Sequence, residues 1–393
     1  MFSELLNSDV VDDYGPEKLI LVRDPSLDME GALVIDNEFY GLPVGGIRIS
    51  PNLTIEKLIR LARGMSQKFC SFKIPLSGAQ AGIICNNDIN RKNQALKSFV
   101  FSIKALIKQA DYFPEPDLGI FDTDYNTIFK MLGKPKILTK NVSFININEP
   151  FKMEYRGSSA YYCLQMIFNE LDKYQNRSTK KWNSPPKLLL EGFGRAGEKF
   201  AHHINENKME LLGVSTLRGA IFDENGLDLE KLFELKQKYG DNLVNEYESK
   251  DVVKLKPGDF FNLSSEYPID FIIPGAEMDT INEDNVDKIG AKVIIPAASS
   301  PYSVKVLKSL EEFNFFAFPD FISNAGDVIE LWSRRKKEDP PIVEHEIKNK
   351  VNEKTLDLLK KVRETKKLAY YIAKDNALNE LVDKIEVKKK RFY

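Results

Sequence analysis

Three stretches of the 393-residue sequence carry side chains whose types and spacing suit chemistry. In "LLLEGFGRAG", Gly192, Gly194 and Gly197 make a G-x-G-x-x-G with Arg195 inside it, after an apolar run and before a helical stretch. A strand, a tight glycine turn and a helix N-terminus in that order cradle a pyrophosphate. The other reading is a glycine turn whose ligand is gone. The next strand of a dinucleotide fold ends about 20 residues on in an acid that holds the ribose hydroxyls of NAD. Here "LLGVSTLRG" ends at Ser215 and Thr216, with Arg218 just after. An arginine at a ribose suits a 2′-phosphate, so NADP is favoured over NAD.

The second stretch is "KIPLSGAQAGI", where small residues surround Gln80. Small residues this dense let backbone approach a ligand or another segment closely. An amide donates and accepts hydrogen bonds but does not titrate near neutral pH. The third stretch, "LTIEKLIRLARGMSQKF", spaces Ile55, Leu58, Ile59, Ala62, Met65 and Phe69 as one helical face. Lys68 falls about 80° from the centre of that face. It reads either as a snorkelling edge residue or as a ligand contact.

The bulk of the chain is ordinary for a globular protein, 42% hydrophobic and 29% charged. Its length suggests two domains or three. Fifty-six Lys and Arg against 58 Asp and Glu leave a net charge of −2, which does not favour nucleic acid. Three cysteines form no disulfide framework and three histidines no metal set. No run approaches the roughly 18 apolar residues of a membrane span, and the N-terminus lacks a signal pattern. A cytoplasmic location is expected.

Two strands, "EKLILVRDPSL" and "GALVIDNEF", precede the amphipathic helix. Helix "NQALKSFVFSIKALIKQA" leads to "DYFPEPDLGI", which its prolines make extended or turning. "NRSTKKWNSPPK" reads as a surface loop or linker. Strands and helices then alternate to about residue 320, which argues for a doubly wound parallel sheet. The tail beyond Pro340 spaces Ile347, Val351, Leu358, Leu359 and Val362 as helices packing back on the body. The fold expected is α/β. An N-terminal substrate and oligomerisation domain (1–150) precedes a Rossmann-type domain (151–340). C-terminal helices (341–393) then return to the first.

Seven segments in fixed order resemble the glutamate/leucine/phenylalanine/valine dehydrogenases, most closely those of archaeal glutamate dehydrogenase type. They are "LPVGGIRI", "LARGMSQKFCSFKIPLSGAQAGI", "PEPDLG", "EGFGRAG", "GVSTLRGAIFDENGLD", "DFIIPGAEMDTINEDNVDKIGAKVIIPAASSP" and "FPDFISNAGDVIELW". The resemblance implies NAD(P)-dependent oxidative deamination of an L-amino acid to a 2-oxo acid and ammonia. It makes Lys68 the holder of the substrate α-carboxylate and Asp117 the proton shuttle. The water-activating lysine of the pattern is Gln80, at the family spacing of twelve residues after Lys68. General-base catalysis is worth about 10²–10⁴-fold, so turnover is expected to be altered or impaired. Lys73, seven residues earlier, is the one candidate for a displaced ammonium.

The positions that select glutamate are Val44 and Leu331, which suit an apolar side chain. On the cofactor side, "EYRG" puts Arg156 where the family's threonine lies near the nicotinamide amide. In "AASSP", Ser299 replaces an asparagine, and in "NAGDV" Asp327 follows Asn324 and Gly326 where the family has glycine. The alternative to an altered dehydrogenase is a non-catalytic paralogue, an oligomer partner or an amino-acid or nucleotide sensor. A relict fold without a ligand is a third reading. A homo-hexamer is implied by the family, or a hetero-oligomer with a catalytic paralogue.

Overall fold

The structure is a computed structural model and describes residues 11–85, 89–132, 152–172, 185–336 and 339–392. Two compact units divide it. The first takes in Met1–Phe151, Leu331–Lys337 and Asn376–Tyr393, the second Lys152–Glu330 and Glu338–Asp375. The expected boundaries therefore shift at the C-terminal end. Only the end of the tail, from Asn376, groups with the first unit, whereas the segment 338–375 belongs to the second. Most of the "NRSTKKWNSPPK" stretch lies outside the described residues.

In the first unit, β1 (Lys18–Asp24), β2 (Met29–Ile35), β3 (Leu42–Ile49), β4 (Leu76–Ile84) and β5 (Phe113–Pro116) form one sheet. Its order is β1-β2-β4-β3-β5. The first two pairings are antiparallel, and β3 runs parallel to both β4 and β5. Helix α1 (Ile55–Ser71) starts where Thr54 accepts a hydrogen bond from the Lys57 N–H, and it buries the apolar stripe read from the sequence. Helices α2 (Ile89–Lys108) and α3 (Asp122–Leu132) complete the unit. Proline is tolerated in β5 because that strand is an edge.

The second unit opens with α4 (Glu154–Asp172), then β6 (Lys187–Glu191), α5 (Arg195–Glu206), β7 (Glu210–Thr216) and β8 (Gly219–Phe222). Helix α6 (Leu229–Tyr239) and β9 (Val253–Leu255), β10 (Phe271–Ile273) and β11 (Val293–Ile294) follow. Next come α7 (Val306–Glu312), β12 (Phe316–Ala317), α8 (Asp320–Ser323) and α9 (Gly326–Ser333), which runs on into first-unit residues. The last two helices are α10 (Pro340–Thr365) and α11 (Ala369–Phe392), of which α11 runs on from Asn376 into first-unit residues.

The sheet order is β12-β11-β10-β6-β7-β8-β9. It is parallel from β12 to β7, but β8 and β9 are antiparallel additions. Only Leu217 and Arg218 join β7 to β8, and a parallel crossover needs about a dozen residues. Leu189, Ile272, Ile294 and Ala317 share the core of this sheet. Helix α10 packs on α4, where the Thr355 hydroxyl meets Cys163 Sγ at 3.4 Å.

Glu191 ends β6 and ties it to the segment after β10. Its carboxylate accepts from Thr280 Oγ1 at 2.5 Å and from the Ala276 N–H at 3.4 Å. Burial outweighs these bonds and pushes the Glu191 carboxyl up from 4.5 to about 7. The folded chain thus keeps a proton in that interval that the unfolded chain has lost. Stability is expected to fall as pH rises through it, by about 3 kcal/mol at most. Urea denaturation at about pH 5 and about pH 8 should show this fall in the wild type and a smaller one in Glu191→Gln. Equal falls in the two proteins would remove Glu191 from the account.

Candidate functional site

The first unit assembles a polar group around Asp117, which follows directly on β5. Arg48, on β3, donates from Nε to Asp117 Oδ2 at 2.8 Å and from Nη2 to Oδ1 at 3.2 Å. Gln80, on β4, donates from Nε2 to the same Oδ2 at 3.0 Å and to the Ala81 carbonyl at 3.3 Å. The register explains the convergence. Val44 pairs with Gly78 and Ile47 with Ala81, so Gly46 lies level with Gln80. A β-carbon on Gly46 would stand 2.5 Å from Asp117 Cβ, so only glycine lets the aspartate sit there. Tyr112 donates its hydroxyl to the Gly45 and Gly46 carbonyls and steadies the same stretch of β3.

Gln80 and Asp117, both singled out in the sequence, are joined by a hydrogen bond, together with Arg48, which the sequence analysis did not name. The signal was present, because Arg48 closes the "GGIR" run and falls on the same strand face as Gly46. Lys68 is 2% exposed, so it is no edge residue but a buried ammonium in the last turn of α1. A cation there is favoured by the helix dipole. Lys73 is corrected as well. It is exposed in the turn after α1 at φ 52°, ahead of β4, which begins at Leu76. Val44 and Leu331 are both fully buried.

In the second unit the glycine loop has the form that an anion site requires. Gly192 adopts φ +84°, and a β-carbon on Gly197 would stand 1.9 Å from the Gly192 carbonyl. Gly194 is the N-cap of α5, and nothing lies within 4 Å of where its β-carbon would be. Arg195 is exposed at the first position of that helix. The Gly192 N–H is held by the Ser215 carbonyl at 3.1 Å, which fixes the loop to the end of β7. At that end Thr216 donates to the Asp241 carbonyl at 2.7 Å and accepts from the Arg218 N–H at 3.1 Å. Arg218 itself is exposed.

Beyond β11, Asn324 Nδ2 donates to Ser299 Oγ at 3.2 Å. The two charged departures, Arg156 and Asp327, form one ion pair, with Nε to Oδ2 at 2.5 Å. Asp327 is fully buried and Arg156 14% exposed. Sequence reading treated them as separate changes. Opposite charges at two departures were the only hint of a pair 171 residues apart in the chain.

Two of the three histidines stack on aromatic rings. His202 stacks on Phe233 at 3.8 Å, and His203 stacks on Tyr161 at 4.9 Å. The three cysteines are free and buried. Among the described residues no helix is long and apolar enough to cross a membrane, and no cluster of His, Cys, Asp and Glu could hold a metal ion.

Comparison with known proteins accords with this geometry. Among curated proteins, the NADP-specific glutamate dehydrogenase of Synechocystis sp. is 26% identical over 301 residues, 72% of this chain and 67% of that protein. The NAD-specific glutamate dehydrogenase of Staphylococcus aureus is 24% identical over 300 residues, 74% of this chain and 68% of its own. Among solved structures, the hetero-hexameric glutamate dehydrogenase from Thermus thermophilus in its Leu bound form superposes with a TM-score of 0.76. That likeness is at 17% identity over 95% of this chain and 90% of that one, and it is a likeness of fold. Residues 16–134 match the Glu/Leu/Phe/Val dehydrogenase dimerisation domain, and residues 154–387 match the Glutamate/Leucine/Phenylalanine/Valine dehydrogenase domain. Those two segments take in most of the sequence, and the chain belongs to the Glu/Leu/Phe/Val dehydrogenase family.

Proposed function

We propose that this protein is a glutamate-dehydrogenase-like oxidoreductase with impaired turnover, which binds an apolar L-amino acid or its 2-oxo acid. The observation that carries this reading is the Gln80 amide hydrogen-bonded to Asp117, in the position of the family's water-activating lysine. The family's nicotinamide cofactor supplies hydride acceptance from Cα. The remaining work falls to the chain itself. It must hold the α-carboxylate, take a proton from the attacking water and pass protons to the departing ammonia.

Lys68 is assigned to the α-carboxylate and Asp117 to proton transfer. Gln80 offers a donor but no group that takes a proton at neutral pH. Measured with NAD and with NADP over a panel of glutamate, leucine, valine and phenylalanine, wild-type turnover should be at least about 10²-fold below that of a lysine-bearing glutamate dehydrogenase. Turnover within tenfold of that enzyme would overturn the reading. A Gln80→Lys variant run beside it locates the defect. Recovery assigns it to Gln80, and continued inactivity assigns it to the second unit.

Val44 and Leu331 support apolar selectivity, since a glutamate side chain would bury its distal carboxylate without a cation, which is costly. In calorimetric titrations, 4-methyl-2-oxopentanoate should bind at least tenfold more tightly than 2-oxoglutarate, and Val44→Lys should narrow or reverse that ratio. A wild type that prefers 2-oxoglutarate would refute the assignment. At the adenosine end, the exposed Arg218 and the absence of a carboxylate at Thr216 support a preference for a 2′-phosphate.

The second reading is a non-catalytic subunit that senses an amino acid or nucleotide within an oligomer. The Arg156–Asp327 pair favours it, because it alters a second site in the same chain. A fold neighbour, the glutamate dehydrogenase from Thermus thermophilus, is hetero-hexameric and has a Leu bound form. A hexamer in the cytoplasm, alone or with a catalytic relative, is the assembly proposed on either reading. The three buried, unbridged cysteines agree with a reducing compartment.

A further inference from the structure

A dinucleotide on an open α/β sheet lies outside the carboxyl ends of the strands, across the point where strand order reverses. Here that point is β6, flanked by β7 on one side and β10 on the other. The β7 side, with Thr216 and Arg218, receives the adenosine. The β10 and β11 side, with Ser299 and Asn324, is where the nicotinamide of a whole dinucleotide would lie. The two sides differ in what they leave open.

At the pyrophosphate the chain fits its family's cofactor. The helix N-terminus at Gly194 is unobstructed, and the turn keeps the geometry that the phosphates need. On the nicotinamide side it does not fit. There the first turns of α4 and α9 are pressed together. A β-carbon on Gly326 would stand 1.8 Å from the Tyr155 carbonyl, and the Gly326 N–H donates to Ser159 Oγ at 3.0 Å. A β-carbon on Gly157 would stand 2.0 Å from the carbonyl of Ala196, in the first turn of α5. Arg156 and Asp327, each one residue from these contacts, are therefore fixed beside the helix that the glycine loop begins.

Asp327 Oδ1 accepts from the Val328 N–H at 2.8 Å while Oδ2 holds Arg156. Opening that contact would draw a buried carboxylate away from its guanidinium, which is costly. The resemblance puts a threonine and a glycine at these two positions, small enough to leave room for a ring. Arginine and aspartate are larger than those residues, and an oxidised nicotinamide would add a positive charge next to the guanidinium.

We propose that the second unit binds an adenine nucleotide without a nicotinamide, an ADP or ADP-ribose in plain or 2′-phosphorylated form, and that the Arg156–Asp327 pair excludes the nicotinamide ring. The proposal rests on the reading that the chain has left efficient hydride transfer, and it names the ligand class that remains. Saturation-transfer NMR on the full-length protein with NAD should show transfer to the adenine protons and none to the nicotinamide protons. By calorimetry, ADP-ribose and NADH should bind within threefold of each other. In the Arg156→Thr, Asp327→Gly double variant, which removes both charges, NADH should gain at least tenfold over ADP-ribose.

Saturation of the nicotinamide protons, NADH at least tenfold tighter than ADP-ribose in the wild type, no binding of any of these nucleotides, or a folded double variant with unchanged ratios would each overturn it. Should the double variant fail to fold, the wild-type spectra decide alone. A bound nicotinamide ring without turnover overturns this proposal and leaves the impairment at Gln80 standing. Efficient turnover overturns both.

Discussion

Asp117 carries its carboxylate at the end of β5, against a stretch of β3 where Gly46 leaves no room for a β-carbon. Little water reaches it, so the fold has to supply its partners. Strand geometry offers few positions from which to do so. Residue 48 is the next on the same face of β3 as Gly46, and residue 80 is level with Gly46 on β4. Arg48 takes both carboxylate oxygens, and the side chain at 80 completes the set. Arg48 sets a positive charge against the carboxylate. A lysine at 80 is useful as a neutral amine, which can take a proton from water, but is not needed to hold Asp117. That is why glutamine is tolerated here. On the reading proposed above, the chemistry is altered while Asp117 keeps its hydrogen bonds.

The second unit obeys the same constraint by a different route. Removing either member of the Arg156–Asp327 pair would take a charge partner from a poorly solvated group, and breaking such a pair typically costs about 3–5 kcal/mol. The two occur together, at 2.5 Å, with Asp327 also accepting a backbone N–H at the start of its helix. Changes accumulated at random in a relict fold would have no reason to close their charge balance in this way. A chain still held to a specific arrangement would.

Local signals made much of this legible in the sequence. The stripe of α1, the glycine turn after β6 and the strand that ends at Thr216 each rest on a pattern within a dozen or so neighbouring residues. What escaped depends on distant partners. The burial of Lys68 follows from how α1 lies on the sheet, which angular position on a helical wheel does not contain. The antiparallel course of β8 depends on a connection of two residues that the alternating apolar pattern passed over. The division of the C-terminal tail near residue 376 is set by which surface covers each apolar stripe, and α10 finds α4. The pairing of Arg156 with Asp327 joins residues too far apart for any local rule.

The pattern of retained and altered groups separates binding from catalysis. Contacts that hold a substrate in its ground state and contacts that act as the transition state forms are different groups, and either set can change alone. On the proposed reading, Lys68, Val44, Leu331 and the glycine turn belong to the first set, and all remain positioned on rigid elements. The residue at 80 belongs to the second, because a base matters only while water is being deprotonated. On that reading, replacing that one group with an amide lowers the rate while Arg48 goes on holding Asp117. A chain altered in this way can still change state when an amino acid or nucleotide binds, and binding rather than conversion is then the quantity on which its function depends.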